Sequence, residues 1–220
     1  MLTLVALGGC AEEKPRIPLG AAGPATPVTL AEPDQTGLLP MSQWPAACDL
    51  LPETVVREVL PAATVVEMKR VTPTFDSGDV VEKDHVFPGD AECQIRVDFA
   101  EAKEMQPGRR GGWIYFTVRV AGTPELARKN YDENIASTLR DERTACPAEL
   151  VAAAGLDDCT DSDGEWTFLK HGVAGELRGI APYLNRDVYF EGQKENSYPT
   201  EIWHDTVGAE FLRAVAARLP

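Results

Sequence analysis

Of the residue types in this chain, cysteine can take part in the widest range of chemical reactions and bonds. A cysteine thiol can carry a lipid, form a disulfide, ligate a metal or act as a nucleophile. The 220-residue chain contains five cysteines, at positions 10, 48, 93, 146 and 159. Their spacings include no Cys-x-x-Cys and no Cys/His pattern typical of zinc sites. Lipidation and disulfide formation are therefore the chemistries that the spacing favours.

Cys10 ends a short apolar segment that begins at Met1 and closes with Leu7-Gly8-Gly9-Cys10. Small residues before such a cysteine are typical of a lipobox, where a signal peptidase cuts and the sulfur takes a diacylglycerol. We therefore predict a signal peptide over residues 1–9, although it lacks the usual basic start. The mature chain would begin at Cys10 and be anchored through its lipid to the outer face of the membrane. The alternative is a cytosolic chain whose first strand ends at Cys10.

Four cysteines remain after Cys10, and an even number in an exported protein predicts disulfides. Three connectivities are possible. We favour Cys48–Cys93, which would join an opening helix to a strand. The second favoured pair, Cys146–Cys159, would close a short loop.

A proline-rich segment separates the lipobox from the rest of the chain. Seven prolines fall within residues 10–45, and the residues between them are mostly small or polar, which disfavours helices and ladders. We predict an extended tether over residues 10–45 and a single domain over residues 46–220. Leu38 to Trp44 is apolar enough to dock on that domain.

The domain shows alternating and helical apolar patterns in succession. Helices are predicted over Leu50–Leu60, from Pro124 to Leu139 with Thr123 as N-cap, over Glu149–Ala154 and over Thr206–Leu219 with Asp205 as N-cap. Strands are predicted over Thr64–Thr72, Glu92–Ala100, Gly112–Ala121, Glu165–His171, Val173–Ala181 and Asn185–Glu191. The strands fall in two blocks, each without an intervening helix and each followed by a helix. Within the first block, Glu92–Ala121 is predicted to form a hairpin with a turn near Pro107-Gly108. This order predicts an α+β domain with an antiparallel or mixed sheet flanked by helices.

Acidic residues outnumber basic ones, and the formal net charge is −14. Nucleic-acid binding requires basic patches that release counterions, so we expect no nucleic-acid partner. The same charge disfavours a domain that lies flat on anionic lipid. The membrane is thus a partner only through the lipid on Cys10.

Three motifs carry a resemblance to a known family. They are Trp44-x-x-x-Cys48-Asp49-Leu50-Leu51, Glu92-Cys93-Gln94-Ile95 and Gly155-Leu156-Asp157-Asp158. With the lipobox, their order resembles small actinobacterial envelope lipoproteins whose domain has no known function. The resemblance implies a PsbP-like α/β/α sandwich and supplies no catalytic residues. The third motif departs from the family's usual Gly-Leu-Gly-Asp.

Acidic side chains crowd residues 157–165 in a pattern similar to a calcium loop. With Gly164 aligned to the loop glycine, Lys170 occupies the position that should be a bidentate Glu, so we predict no metal site. His85, His171 and His204 each lie beside an Asp or Gly, and neighbouring side chains on a strand point apart. No nucleophile elbow, phosphate loop or His-Glu-x-x-His motif is present. The sequence therefore predicts no catalytic residue and no cofactor.

The expected function is non-catalytic binding of a partner protein or another envelope component through the sheet. Trp113, Tyr115, Trp166 and Tyr189 are the candidate recognition residues. An alternative is a carrier that holds an apolar ligand in a cavity between sheet and helices. A hydrolase is a weaker alternative.

Overall fold

The computed structural model describes residues 14–73, 88–103, 111–137, 143–185, 188–195 and 197–220. Its centre is a seven-stranded antiparallel sheet with strand order β2-β3-β4-β8-β7-β6-β5. The strands are β2 (Val65–Val71), β3 (Glu92–Asp98), β4 (Gly112–Ala121), β5 (Thr144–Ala145), β6 (Asp158–Ser162), β7 (Glu165–Lys170) and β8 (Val173–Ile180). The predicted α+β class is confirmed. The predicted Pro107-Gly108 turn lies outside the described residues.

Helices cover both faces of this sheet. The inner face carries α1 (Ala47–Leu50), α2 (Glu53–Val59), α4 (Ala148–Ala154) and a C-terminal helix made of α5 (Pro199–Ile202), a π-turn (Trp203–Gly208) and α6 (Ala209–Ala216). The outer face carries α3 (Pro124–Ser137), which packs against β4, β7 and β8. The layers are therefore ordered helix, sheet, helix.

The alternation of side chains along each strand places the main core on the inner face. On β3, Cys93, Ile95 and Val97 are fully buried against the helices, whereas Glu92 and Gln94 point to the outer face. Successive residues on a strand point to opposite faces, so one polar and one apolar face follow from the sequence pattern.

Both favoured disulfides are present. Cys48 on α1 is bonded to Cys93 on β3, with their Cα atoms 4.9 Å apart. Cys146, which follows β5, is bonded to Cys159 on β6, with a Cα distance of 5.4 Å. The first bond ties the inner helical layer to the sheet, and the second closes the edge of the sheet.

A second, smaller hydrophobic core lies under α3, and a β-bulge in β4 helps to form it. The register between β4 and β8 shifts between Val118 and Val120. The extra residue allows Val120 to point outward, where it packs with Ala127 and Tyr131 of α3. Without the bulge, Val120 would point to the same face as Val118.

The ion pair between Arg128 of α3 and Asp158 of β6 should make the docking of α3 pH-dependent. The Nη1–Oδ2 distance is 2.6 Å. Burial alone would raise the pKa of Asp158, but hydrogen bonds from Arg128 and from the Cys159 backbone lower it overall. We expect Asp158→Asn to destabilise the protein by less than about 1 kcal/mol at pH 7, because the pair is partly exposed.

The sign of this dependence follows from the lowered pKa. The contribution is present above the carboxyl's unfolded pKa of about 4 and is lost as the pH falls through the lower folded value. Urea unfolding of the wild type and of Asp158→Asn at pH 7 and near pH 3 measures the difference. A difference that grows on acidification would contradict the assignment.

Two predicted helices differ from the observed ones at prolines. The helix predicted over Leu50–Leu60 is broken at Leu51 and Pro52, and Pro52 is the N-cap of α2. Proline disfavours helical geometry in the residue before it and lacks an N–H donor, so the break is local in origin. The last helix begins at Pro199 rather than Thr206, with proline at its first position, where it is tolerated.

The segment predicted as an extended tether packs on the domain from residue 14 onward. Ile17, Leu39 and Trp44 are buried in the main core. The first of these belongs to β1 (Arg16–Ile17), which pairs in parallel with β9 (Tyr189–Phe190) in a separate two-stranded sheet. We call residues 14–45 the strap. The tether prediction fails for this part because a few apolar side chains between the prolines are enough to dock it.

Single backbone hydrogen bonds hold the strap along its length. The N–H of Gly20 donates to the Val59 carbonyl at 2.9 Å, and that of Val28 donates to the Arg218 carbonyl at 2.7 Å. Isolated bonds of this kind are compatible with a proline-rich chain, which cannot form a continuous ladder.

Candidate binding face

The outer face beyond α3 places aromatic and charged side chains in register. Trp113 and Tyr115 of β4 lie here, directly opposite Ile180 and Arg178 of β8. The two aromatic rings stack with centroids 6.1 Å apart and planes 15° from parallel. Both side chains are half-buried, and Ile180 is 40% exposed. We call this surface the binding face.

A groove of about 430 Å³ opens beside the Tyr115 ring. Its lining is formed by Glu92, Tyr115, Thr117, Glu165, Glu176, Arg178 and Ile180. Thr117 lies directly opposite Glu92 on one side and Glu176 on the other. Because a small side chain stands here between longer ones, the face is indented rather than flat.

Glu176 anchors the α3 side of this groove. Its carboxylate lies 2.7 Å from Arg119 Nε and accepts a hydrogen bond of 2.6 Å from the Asn134 amide of α3. All three side chains are largely removed from water. A buried carboxylate that is paired and hydrogen-bonded is held in one position, so this wall of the groove is rigid.

Charges on the binding face nearly cancel. On its strands β2, β3, β4, β7 and β8, the outward-facing charged residues are four basic (Lys69, Arg96, Arg119, Arg178) and five acidic (Glu67, Glu92, Asp98, Glu165, Glu176). The whole chain carries −14. The face is therefore much less repulsive to an acidic partner than the surface as a whole.

Two of the four predicted recognition residues lie elsewhere. Trp166 is only 3% exposed and belongs to the inner core, because its position on β7 points inward. Tyr189 lies on β9 and is largely buried, with Lys14 Nζ 5.3 Å above its ring. Sequence reasoning missed Ile180, whose outward position follows from its register opposite Trp113.

His204 makes the contacts nearest to those of a catalytic group. Its Nε2 lies 3.0 Å from Asp161 and its Nδ1 lies 3.0 Å from Asp205, while its ring stacks on Trp166 at 4.4 Å. The expectation that neighbouring His and Asp do not pair is wrong here, because the segment is a π-turn and not a strand. With a carboxylate at each ring nitrogen, the imidazole has no nitrogen directed at a hydroxyl or thiol that it could activate.

The acidic residues 157–165 lie in the β-hairpin formed by β6 and β7, and their carboxylates point in different directions. Asp158 pairs with Arg128 and Asp161 contacts His204, on opposite faces of β6. Within the described residues, no group of three or more His, Cys, Asp or Glu side chains could hold a metal ion. Sequence reasoning missed β6, although Asp163-Gly164, with both φ angles positive, is a strong hairpin signal.

A second, more apolar groove of about 570 Å³ lies along the strap. It is formed by Val28, Leu30, Leu39, the start of α3 and the C-terminal Pro220, with the exposed ring of His171 at its rim. None of its lining residues belongs to a strand of the seven-stranded sheet.

Cys10, the predicted lipidation site, lies outside the described residues. Within those residues, no helix is long and apolar enough to cross a membrane. No family of known proteins, no curated protein and no solved structure matches the chain.

Proposed function

We propose that the chain is a cell-envelope lipoprotein, anchored through Cys10 outside the cytoplasm, that binds a partner protein without catalysing a reaction. The observation that carries the proposal is the half-exposed Trp113–Tyr115 pair on a sheet face bordered by Arg178 and Ile180. Other envelope components, such as a glycan, are the competing occupants of the same face.

The composition of the binding face supports a protein partner. Trp, Tyr and Arg are the residues most enriched at energetic hot spots of protein interfaces. All three types meet here within two neighbouring strands, and Tyr183 nearby is 61% exposed. Indentation beside Tyr115 offers a place for one side chain of the partner to be fully enclosed.

Packing between sheet and helices weighs against the carrier hypothesis in its original form. The space that a ligand would need is filled by Phe99, Phe116 and Phe168, each fully buried. The strap groove is the alternative location for an apolar ligand, because its lining is mainly apolar. Native mass spectrometry of gently purified protein would detect a bound lipid there.

The environments of the remaining reactive groups support the non-catalytic assignment. Cys48, Cys93, Cys146 and Cys159 are all in disulfides, so none offers a thiolate. His204 is clamped between two carboxylates.

Anchoring is tested by the lipidated cysteine itself. When the chain is expressed with a full signal peptide, we expect it to partition into the detergent phase. Cys10→Ser should release it or leave it unprocessed, because serine offers no sulfur for the diacylglycerol. A Cys10→Ser protein that is still lipidated and membrane-bound would refute the assignment.

Partner binding is tested by site-specific photo-crosslinking in the native envelope. A photoreactive residue at Ile180 should give a discrete crosslinked protein, and Trp113→Ala should reduce its yield at least tenfold, because truncating a hot-spot residue costs 2 kcal/mol or more. The matched control carries the photoreactive residue at Ala153, an exposed position on α4. A crosslink of equal yield at Ala153, or one unaffected by Trp113→Ala, would argue against this face.

A further inference from the structure

Docking of the strap leaves very little chain between Cys10 and the domain. Lys14 is the first described residue, and its Nζ lies 3.6 Å from the Glu195 carboxylate and 5.3 Å above the Tyr189 ring. The four residues from Cys10 to Lys14 can span at most about 14 Å. A free tether reaching residue 45 would instead span about 110 Å at 3.1 Å per residue.

We propose that one defined end of the domain faces the lipid surface. This basal end comprises residues 14–17, β9, and the segment that continues from β9 through residues 191–195 and 197–198. The inference rests on the proposed lipidation of Cys10. If the sulfur carries a lipid in the membrane interface, the short link forces this end, and no other, to lie beside it.

The surface of the basal end suits a position at headgroup depth. Tyr198 is 78% exposed, and an amphipathic aromatic ring is favoured where one end is apolar and the other wet. The charged residues of this end are Lys14, Arg16, Lys194, Glu191 and Glu195. With three basic and two acidic groups, it lacks the excess negative charge of the whole chain. With Glu12 and Glu13 of the link, three basic groups stand against four acidic ones, a local sum of −1, so anionic headgroups repel this end much less than they repel the whole chain.

Contacts within the basal end fix it to the rest of the fold. Arg16 donates a hydrogen bond to the Gln193 carbonyl at 3.0 Å, and the Gln193 side chain donates one of 2.9 Å to the Ser197 carbonyl. Phe190 of β9 packs edge-on against Phe99 with centroids 5.5 Å apart. The basal end is thus part of the rigid domain, so its orientation is transmitted to the whole molecule.

The opposite end of the sheet provides the comparison position. Phe99 follows β3, so β9 lies at the end of the sheet where β3 ends. Because β3 and β8 are both antiparallel to β4, they run in the same direction, and β8 also ends there, at Ile180. His171 lies in the turn before β8 begins, and its side chain is 60% exposed. Along the eight residues of β8 the two ends are about 23 Å apart.

Depth measurement on vesicles of phosphatidylcholine, with only a trace of a nickel-chelating lipid, tests the proposal without the attraction or repulsion of an anionic membrane. A nitroxide is attached at Tyr198→Cys or at His171→Cys in the lipidated protein, and a nickel-chelating lipid at low mole fraction enhances its relaxation. We expect the enhancement at position 198 to exceed that at position 171 several-fold. Equal enhancement, or a larger one at position 171, would overturn the orientation.

Three controls separate the possible failures. Co-flotation of unlabelled protein with the vesicles reports anchoring, so loss of flotation refutes lipidation, whereas flotation without a difference between labels refutes only the orientation. A label at Lys194→Cys repeats the basal measurement if the Tyr198 variant does not fold. A flexible 30-residue Gly/Ser insertion before Lys14 should remove the difference, and its persistence would show that the short link is not the cause.

Discussion

Simultaneous replacement of Cys48 and Cys93 by alanine is expected to lower the free energy of unfolding by about 4 kcal/mol. The bond closes a loop of 45 residues, and the entropy that a cross-link removes from the unfolded chain grows with loop length. The corresponding loss for Cys146 and Cys159, whose separation is 13, is about 3 kcal/mol. Urea unfolding of the two double variants measures both values.

The expected order of the two losses in unfolding free energy is a stricter test than either value alone. The first bond also joins two layers, because Cys48 lies on α1 and Cys93 in the centre of the inner face. Total stabilities of single domains are only about 5–15 kcal/mol, so its loss removes a large fraction. A greater loss for the Cys146/Cys159 variant would show that chain entropy does not govern these bonds.

Gly208→Ala is expected to destabilise the protein by about 2 kcal/mol, against the trend of helix propensity. Gly208 has ordinary helical angles, so alanine would by itself add about 1 kcal/mol of stability. A Cβ atom at this position, however, would overlap the six-membered ring of Trp166. Overpacking of a filled core costs about 1–3 kcal/mol, occasionally more. The overlap here is severe, so we expect a cost of about 3 kcal/mol, which leaves a net loss of about 2 kcal/mol after the gain in helix propensity.

Two further variants identify the cause of the Gly208 effect. Trp166→Phe removes the ring atoms that would overlap, so in the double variant the two losses should be less than additive. Gly89→Ala is the matched control, since a Cβ there meets Thr72 only at ordinary contact distance. Its effect should stay within about 0.5 kcal/mol. Additive losses, or a stabilised Gly208→Ala protein, would contradict the packing argument.

Periodic patterns predicted the regular elements well. The bounds of β4 match the predicted Gly112–Ala121, and α3 begins at Pro124 after the predicted cap at Thr123. These segments are long and strongly patterned, so local sequence determines them. The Cys48–Cys93 bond was accessible for a related reason, since it joins the region of a predicted helix to a predicted strand. The Cys146–Cys159 bond was predicted from its short separation alone, because β5 and β6 were missed.

The binding face could be predicted only in part, because exposure depends on what packs above a strand. Trp113 and Trp166 have similar alternating neighbours, but the register of the sheet turns one outward and the other into the core. The strap was missed because its few buried side chains are spaced without a period. Neither feature is visible in local sequence, since both follow from contacts between distant segments.

The strap also determines the order in which the molecule is completed. Arg16 pairs with Tyr189, and Val28 bonds to the carbonyl of Arg218, so these early residues of the domain require partners about 170–190 positions further along the chain. Because closing a long loop costs conformational entropy, we expect contacts so distant in the chain to form after the sheet. If Cys10 carries a lipid as proposed, the undocked proline-rich segment would be long enough to leave the folding domain well away from the lipid. Closure of the strap would then bring the finished domain to the membrane, so that completion of the fold and arrival at the surface would be one event.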